Sequence, residues 1–373
     1  MKHLPTVLTI LLTASSGLIA QDRHEWTYDA EAMEPFWEGD VVHGESVLFV
    51  RPAPDAVATG SLLFPVKRII RVTNAAGDVI YDAADFAFVP GQRQMTIPVG
   101  SKIQCSRPED LRRPPGTQQF RLTHRDGGDE ILFGGRLEYH AMQTSVTYEK
   151  ADTQWPVKPA DFSVQALPRT INRLQKAQPV SIVLLGDSIS TGCNASGWAG
   201  GAPFQPAWQD LLRLQLQHVS KSEVTLTNLA VGGTSTPWGL TRTADVAAAK
   251  PDLVILAFGM NDAAGISPDQ YGKNLAEMMA KIRETVPDAE FILVASMLGN
   301  RNWTALKHDV FPMYRDQLAA LCTSGVALAD MTSQWNEILN RKQDHDLTGN
   351  GVNHPNDFGH RIYAQVLASL LIE

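Results

Sequence analysis

The sequence predicts an α/β C-terminal part with a five-stranded parallel sheet, preceded by an antiparallel β-sandwich. Three observations carry this. Between Asp22 and Lys150, short apolar runs are separated by Gly, Pro and Asp at the spacing of hairpins. From residue 180 onward, strand-like runs alternate with segments of helical periodicity, which favours a parallel sheet with helices on both faces. In VSIVLLGDSISTG (180–192) an uncharged run from Ile182 to Gly186 stops abruptly at Gly186-Asp187-Ser188, as a strand buried on both faces does.

The chain has 373 residues, enough for two domains with a sizeable core. A hydrophobic fraction of 44% is ordinary for a folded protein and argues against disorder. The net charge of −8 comes with no basic block, so nucleic acid and anionic membrane surfaces are poor partners. Residues 1–20 pair Lys2 with a short apolar run ending at Ala20, the pattern of a secretory signal, with the mature chain expected near Gln21. Thr13, Ser15 and Ser16 interrupt that run short of a membrane span, so a secreted or periplasmic protein without stable membrane association is expected. Cys105, Cys193 and Cys322 are too few and too scattered for a disulfide framework or a zinc pattern.

In chain order, residues 21–150 are read as the β domain, with strands at 41–50, around KRIIRVTN, and at 78–82, 94–99, 119–124 and 130–133. Trp26, Phe36, Trp37, Tyr139 and Tyr148 there suit either core packing or a sugar platform. Residues 151–174 are read as a linker, for Pro156, Pro159 and Pro168 break any periodicity, with a short helix from Thr170 to Lys176. Residues 175–373 hold the parallel sheet, with strands expected at 181–186, 223–230, 252–258, 290–296 and 325–330. Ser267 and Pro268 suit an N-cap and first turn, and Tyr271, Leu275, Met278, Ile282 and Val286 follow at helical spacing. The chain ends in RIYAQVLASLLIE, an expected amphipathic helix.

Ser188 ends the first strand of the parallel sheet, where open α/β sheets place ligands. A serine in that turn is either a helix N-cap or an exposed nucleophile. Three further segments bear on the choice. The second strand runs into Asn228-Leu229-Ala230-Val231-Gly232-Gly233, whose glycines let backbone N–H groups approach a ligand. The third ends in Gly259-Met260-Asn261-Asp262, which puts an amide at the same edge, and His354-Pro355 sits in the polar loop NGVNHPNDFGH before the last helix. A hydroxyl, an imidazole to take its proton and donors for an oxyanion are the requirements of acyl transfer.

Together these four segments resemble the SGNH, or GDSL-like, hydrolase superfamily, especially its exported carbohydrate esterases, over about residues 175–373. The resemblance implies a flavodoxin-like hydrolase domain without metal or organic cofactor. It also implies Ser188 as nucleophile, His354 as general base and acid, and an oxyanion hole from Ser188, Gly233 and Asn261. An acetylated glycan would be the substrate and O-acetyl removal the reaction, with a lipid esterase or thioesterase of the same fold as the rival. One position departs from the family: three residues before the histidine, where it usually has Asp, stands Gly351. Losing such an orienting carboxylate costs roughly 10⁴ in rate in a serine protease. A backbone carbonyl in its place is the favoured expectation, a carboxylate such as Asp344 or Asp346 the second, and a weakened, glycan-binding relative the third.

Cys193, Asn194 and Trp198, in the glycine-rich loop after Ser188, and Trp238 are candidates for the substrate pocket wall. His345 and His360 are read as a solvated loop residue and a first-turn helix residue, and Asp187 and Asp262 as loop-positioning groups.

Overall fold

The computed structural model describes residues 26–159 and 162–373, so the expected leader and its cleavage point lie outside the described residues. The N-terminal part is β-rich. Its strands are β1 (Val41–Val47), β2 (Ala58–Ser61), β3 (Val66–Asn74), β4 (Ala87–Phe88), β5 (Gln94–Ile97), β6 (Arg112–Arg113), β7 (Glu130–Ile131) and β8 (Thr144–Lys150). They form antiparallel sheets in the orders β1-β8-β3 and β2-β5-β4, with β6 and β7 as a separate ribbon.

Two expected strands are replaced by other structure. At 78–82 the Asn74 side chain accepts the N–H groups of Gly77 and Val79, and this tight turn leaves only an isolated bridge at Ile80. At 119–124 only short antiparallel bridging remains: Ile131 N–H donates to Leu122 O (2.9 Å) and His124 N–H to Asp129 O (3.0 Å), while Thr304 N–H donates to Thr123 O (3.1 Å) from the other side of the chain. Strand β8 was missed although its residues alternate between buried and half-buried along its length. Phe36, Trp37, Tyr139 and Tyr148 are all buried, so they serve packing and present no sugar platform.

The C-terminal part carries β9 (Val180–Gly186), β10 (Val224–Asn228), β11 (Leu253–Ala257), β12 (Glu290–Ala295) and β13 (Val326–Asp330), all parallel. Their order, β10-β9-β11-β12-β13, is flavodoxin-like, with β9 flanked on both sides. Strands β11 and β12 are buried at every position, as their apolar runs require. Gly186 closes β9 because a Cβ there would lie 2.5 Å from Ala257 O on the neighbouring strand. The helix Pro168–Gln175 starts earlier than expected, since proline is tolerated in the first turn and the Glu290 carboxylate takes the N–H groups of Arg169 (2.9 Å) and Thr170 (2.7 Å). The helix Pro268–Thr285 has Ser267 as its N-cap, its hydroxyl accepting from Gln270 N.

The last helix differs most from expectation. It runs Asp357–Ala368, is capped by Asn356 and is buried from Phe358 to Ala368, so it has no solvated face. The N-terminal part covers its outer side. Arg361 donates to His43 O (2.8 Å) and Gly44 O (2.6 Å), and Gln365 to Glu34 O (2.8 Å). Across the same junction Lys342 Nζ meets Glu45 Oε1 at 2.6 Å, with both side chains fully buried. Residues 151–159 are pinned as well: Trp155 is buried, and its indole N–H donates to Gln334 Oε1 (2.9 Å). No helix among the described residues is long and apolar enough to cross a membrane.

Candidate active site

Ser188 follows β9 in a run of turns, and the next helix begins only at Ser196 with Ala195 as its N-cap, so Ser188 caps no helix. Its hydroxyl lies 2.9 Å from His354 Nε2. On the other side of the ring, His354 Nδ1 lies 2.8 Å from Asn194 Oδ1. The amide orientation is fixed, because Asn194 Nδ2 has the carbonyls of Arg136 and Gly349 each at 3.2 Å and must donate to them. Oδ1 is therefore an acceptor, Nδ1 carries the proton, and Nε2 is free to accept from Ser188.

This corrects both leading expectations for the orienter of His354. No backbone carbonyl takes the role. Asp344 faces Arg301, and Asp346 accepts from Leu48 N (2.7 Å) and Gln343 N (2.9 Å). Asn194, expected as a pocket wall, is buried and occupies that place. Gly351 has no room for a side chain: its φ is +78°, and a Cβ there would lie 2.0 Å from the Tyr139 hydroxyl oxygen.

The loop carrying His354 is organised by two further asparagines. Asn350 Oδ1 accepts from the N–H groups of Val352 (2.9 Å), Asn353 (3.0 Å) and His354 (3.1 Å). Asn300 Nδ2 donates to Gly351 O (2.7 Å). Burial, with His360 nearby, pushes the His354 pKa down to about 4. His360 is fully buried rather than merely at a helix start. Its Nδ1 accepts from Trp208 N and its Nε2 donates to Cys193 O (3.2 Å), a neutral tautomer with a pKa also pushed down to about 4 by burial. His345, expected as a solvated loop residue, is half-buried in the short helix Asp344–Leu347.

The remaining candidates divide. A Cβ at Gly232 would lie 3.6 Å from Ser188 Cβ, so that glycine is packed against the serine, whereas Gly233 turns at φ +78° with open space beside it. Asn261 Nδ2 donates to Thr234 O (2.8 Å), which anchors the amide to the glycine loop and leaves its second N–H available. Asp262 holds the same loop by accepting from Thr236 N (3.0 Å), and burial raises its pKa. Asp187 accepts from Ile189 N (2.9 Å), and burial pushes its pKa up to about 7. Cys193 is half-buried with its thiol beside Thr191 Oγ1. Trp198 is 42% exposed, with the Arg136 guanidinium 5.9 Å from its ring centre, and Trp238 packs edge-on to Phe258. Among the described residues, no three His, Cys, Asp or Glu side chains converge as metal ligands.

Sequence reasoning missed the roles of Asn194, Asn350, Asn300 and Tyr139. Only the Asn350-Gly351 pair carried a local signal, that of a tight turn.

A hydroxyl, imidazole and amide in line at the C-terminal edge of a flavodoxin-like sheet form the framework of a serine-type ester hydrolase. Residues 184–362 match the GDSL-like lipase/acylhydrolase family, and this part of the chain belongs to the SGNH hydrolase superfamily. No curated protein matches the chain by sequence. Similar solved structures include a lipase from a goat rumen metagenome, at 16% identity and TM-score 0.42 over 50% of this chain and 95% of that one. A two-domain esterase active on acetylated mannans is similar at 19% identity and TM-score 0.43 over 55% of this chain, which spans only 52% of that protein. An acetyl-xylooligosaccharide esterase from Geobacillus is similar at 21% identity and TM-score 0.41, over 50% of this chain and 92% of that one.

Proposed function

We propose that the protein is a serine esterase that removes O-acetyl or other short acyl groups from a polysaccharide or oligosaccharide. The observation that carries the reading is the 2.9 Å contact between Ser188 Oγ and a His354 ring whose tautomer is fixed by Asn194. Ser188 Oγ attacks the ester carbonyl carbon as its proton passes to His354 Nε2. The oxyanion is met by the Ser188 and Gly233 N–H groups and Asn261 Nδ2. His354 then protonates the sugar oxygen as the acyl C–O bond breaks, leaving the acyl group on Ser188. A water molecule, deprotonated by His354, adds to the acyl carbon, and His354 returns the proton to Ser188 Oγ as the Oγ–acyl bond breaks and acetate leaves.

The short-acyl choice is supported by the glycine loop against Ser188, where Gly232 packs on the serine and Thr234 and Asn261 join the loop by hydrogen bonds, a surface that offers little apolar area for a long chain. Exposed Trp198, four residues after Asn194, has the character of a sugar-stacking group. The leader-like residues 1–20 suit an exported enzyme acting on extracellular glycan. The test is acetate release from a panel of acetylated glycans beside Ser188→Ala, together with p-nitrophenyl esters of increasing chain length. Acetate release lost in Ser188→Ala is expected. A clear preference for long chains would favour the lipid-esterase rival, and glycan binding without turnover would favour an inactive relative.

A further inference from the structure

We propose that the segment Gly134–Gln143 of the N-terminal part positions the esterase site, and that Tyr139 is the positioning residue through which it acts. This rests on reading Ser188 and His354 as the catalytic pair.

The segment meets the histidine loop at several independent points. Gly134 N–H donates to Asn350 O (3.0 Å), whose own side chain holds the His354 N–H. Arg136 O accepts from Asn194 Nδ2, which fixes the amide that orients His354. Gln143 Nε2 donates to His345 O (2.7 Å) and Thr348 O (3.0 Å), and its Oε1 accepts from Asn356 Nδ2 (3.0 Å). Between these anchors Tyr139 is 1% exposed, its hydroxyl donating to Leu132 O (3.0 Å).

Tyr139 occupies the space that a side chain at 351 would need. The position from which the family's carboxylate reaches the histidine is therefore filled from another part of the chain, and the imidazole Nδ1–H is taken by Asn194 instead. Tyr139 packs against the loop at Gly351, whose carbonyl Asn300 holds, so its removal frees the loop to move His354 relative to Ser188. A misplacement on the order of 1 Å at a reacting pair costs up to about 10² in rate. The N-terminal part thus helps to form the site.

The test uses the full chain and a fluorophosphonate probe, whose capture by Ser188 needs the serine activated by His354. Wild type is expected to be labelled at Ser188 and Ser188→Ala not. Tyr139→Ala should label about 10²-fold more slowly, with kcat for p-nitrophenyl acetate falling similarly and KM nearly unchanged. Tyr139→Phe, which keeps the ring, should retain most of the rate. If alanine prevents folding, Tyr139→Leu stops short of Gly351 and carries the same expectation. Folded Tyr139→Ala or Tyr139→Leu labelling at the wild-type rate would overturn the proposal while leaving the esterase reading standing. Wild type unlabelled at Ser188 would overturn the esterase reading itself.

Discussion

Asn194 Oδ1 lies 2.8 Å from His354 Nδ1, and the two N–H bonds of the same amide are spent on Arg136 O and Gly349 O. An amide is the one side chain of this size that accepts on one side and donates twice on the other, so the position is specific for asparagine. Asn194→Ala should lower kcat by about 10²–10⁴ through loss of the tautomer and ring orientation, measured on p-nitrophenyl acetate. Asn194→Asp turns two donors into acceptors facing carbonyls. It should destabilise the fold by about 1–3 kcal/mol, read from the urea midpoint.

The neutral amide also sets the pH dependence. His354 acts as a base only when unprotonated, and its pKa is pushed down to about 4 by burial, with no carboxylate to restore it. The rate kcat/KM should therefore stay level from neutral pH downward and fall only as pH drops through about 4. A fall beginning near the usual histidine value of about 6.5 would contradict this. In Asn194→Asp the added negative charge favours imidazolium, so the acidic limb should move to higher pH.

Asn261 is anchored through one N–H to Thr234 O, which leaves the other for the oxyanion. Asn261→Ala should reduce kcat by about 10²–10³ with little change in KM, as loss of one oxyanion donor does elsewhere. Equal kcat in the variant would remove Asn261 from the reaction.

The junction between the two parts of the chain depends on the fully buried Lys342–Glu45 pair, whose carboxylate also takes the Tyr148 hydroxyl (2.8 Å) and Leu63 N (2.9 Å). Lys342→Met leaves that carboxylate buried without its cation and should cost about 3–5 kcal/mol by urea denaturation. Adding Glu45→Gln should return part of the loss, because the stranded charge goes with it.

The inner strands β9, β11 and β12 of the parallel sheet were legible because they are buried on both faces and read as apolar runs. The four motif segments were legible because each follows a strand end or precedes the last helix. What escaped depends on contacts distant in sequence. The last helix looks amphipathic, yet the N-terminal part covers its polar positions Arg361 and Gln365 with backbone acceptors. Asn194 carries no local signal of its role, since the carbonyls that orient it come from residues 136 and 349. Gly351 reads as a lost carboxylate until Tyr139 is seen in its place.

Intact-protein and peptide mass spectrometry of enzyme quenched during turnover of p-nitrophenyl acetate tests the central claim most directly. The account predicts one acetyl group on the peptide containing Ser188, absent in Ser188→Ala and strongly reduced in His354→Ala. Full turnover by Ser188→Ala, or an acetyl group carried on another residue, would contradict it.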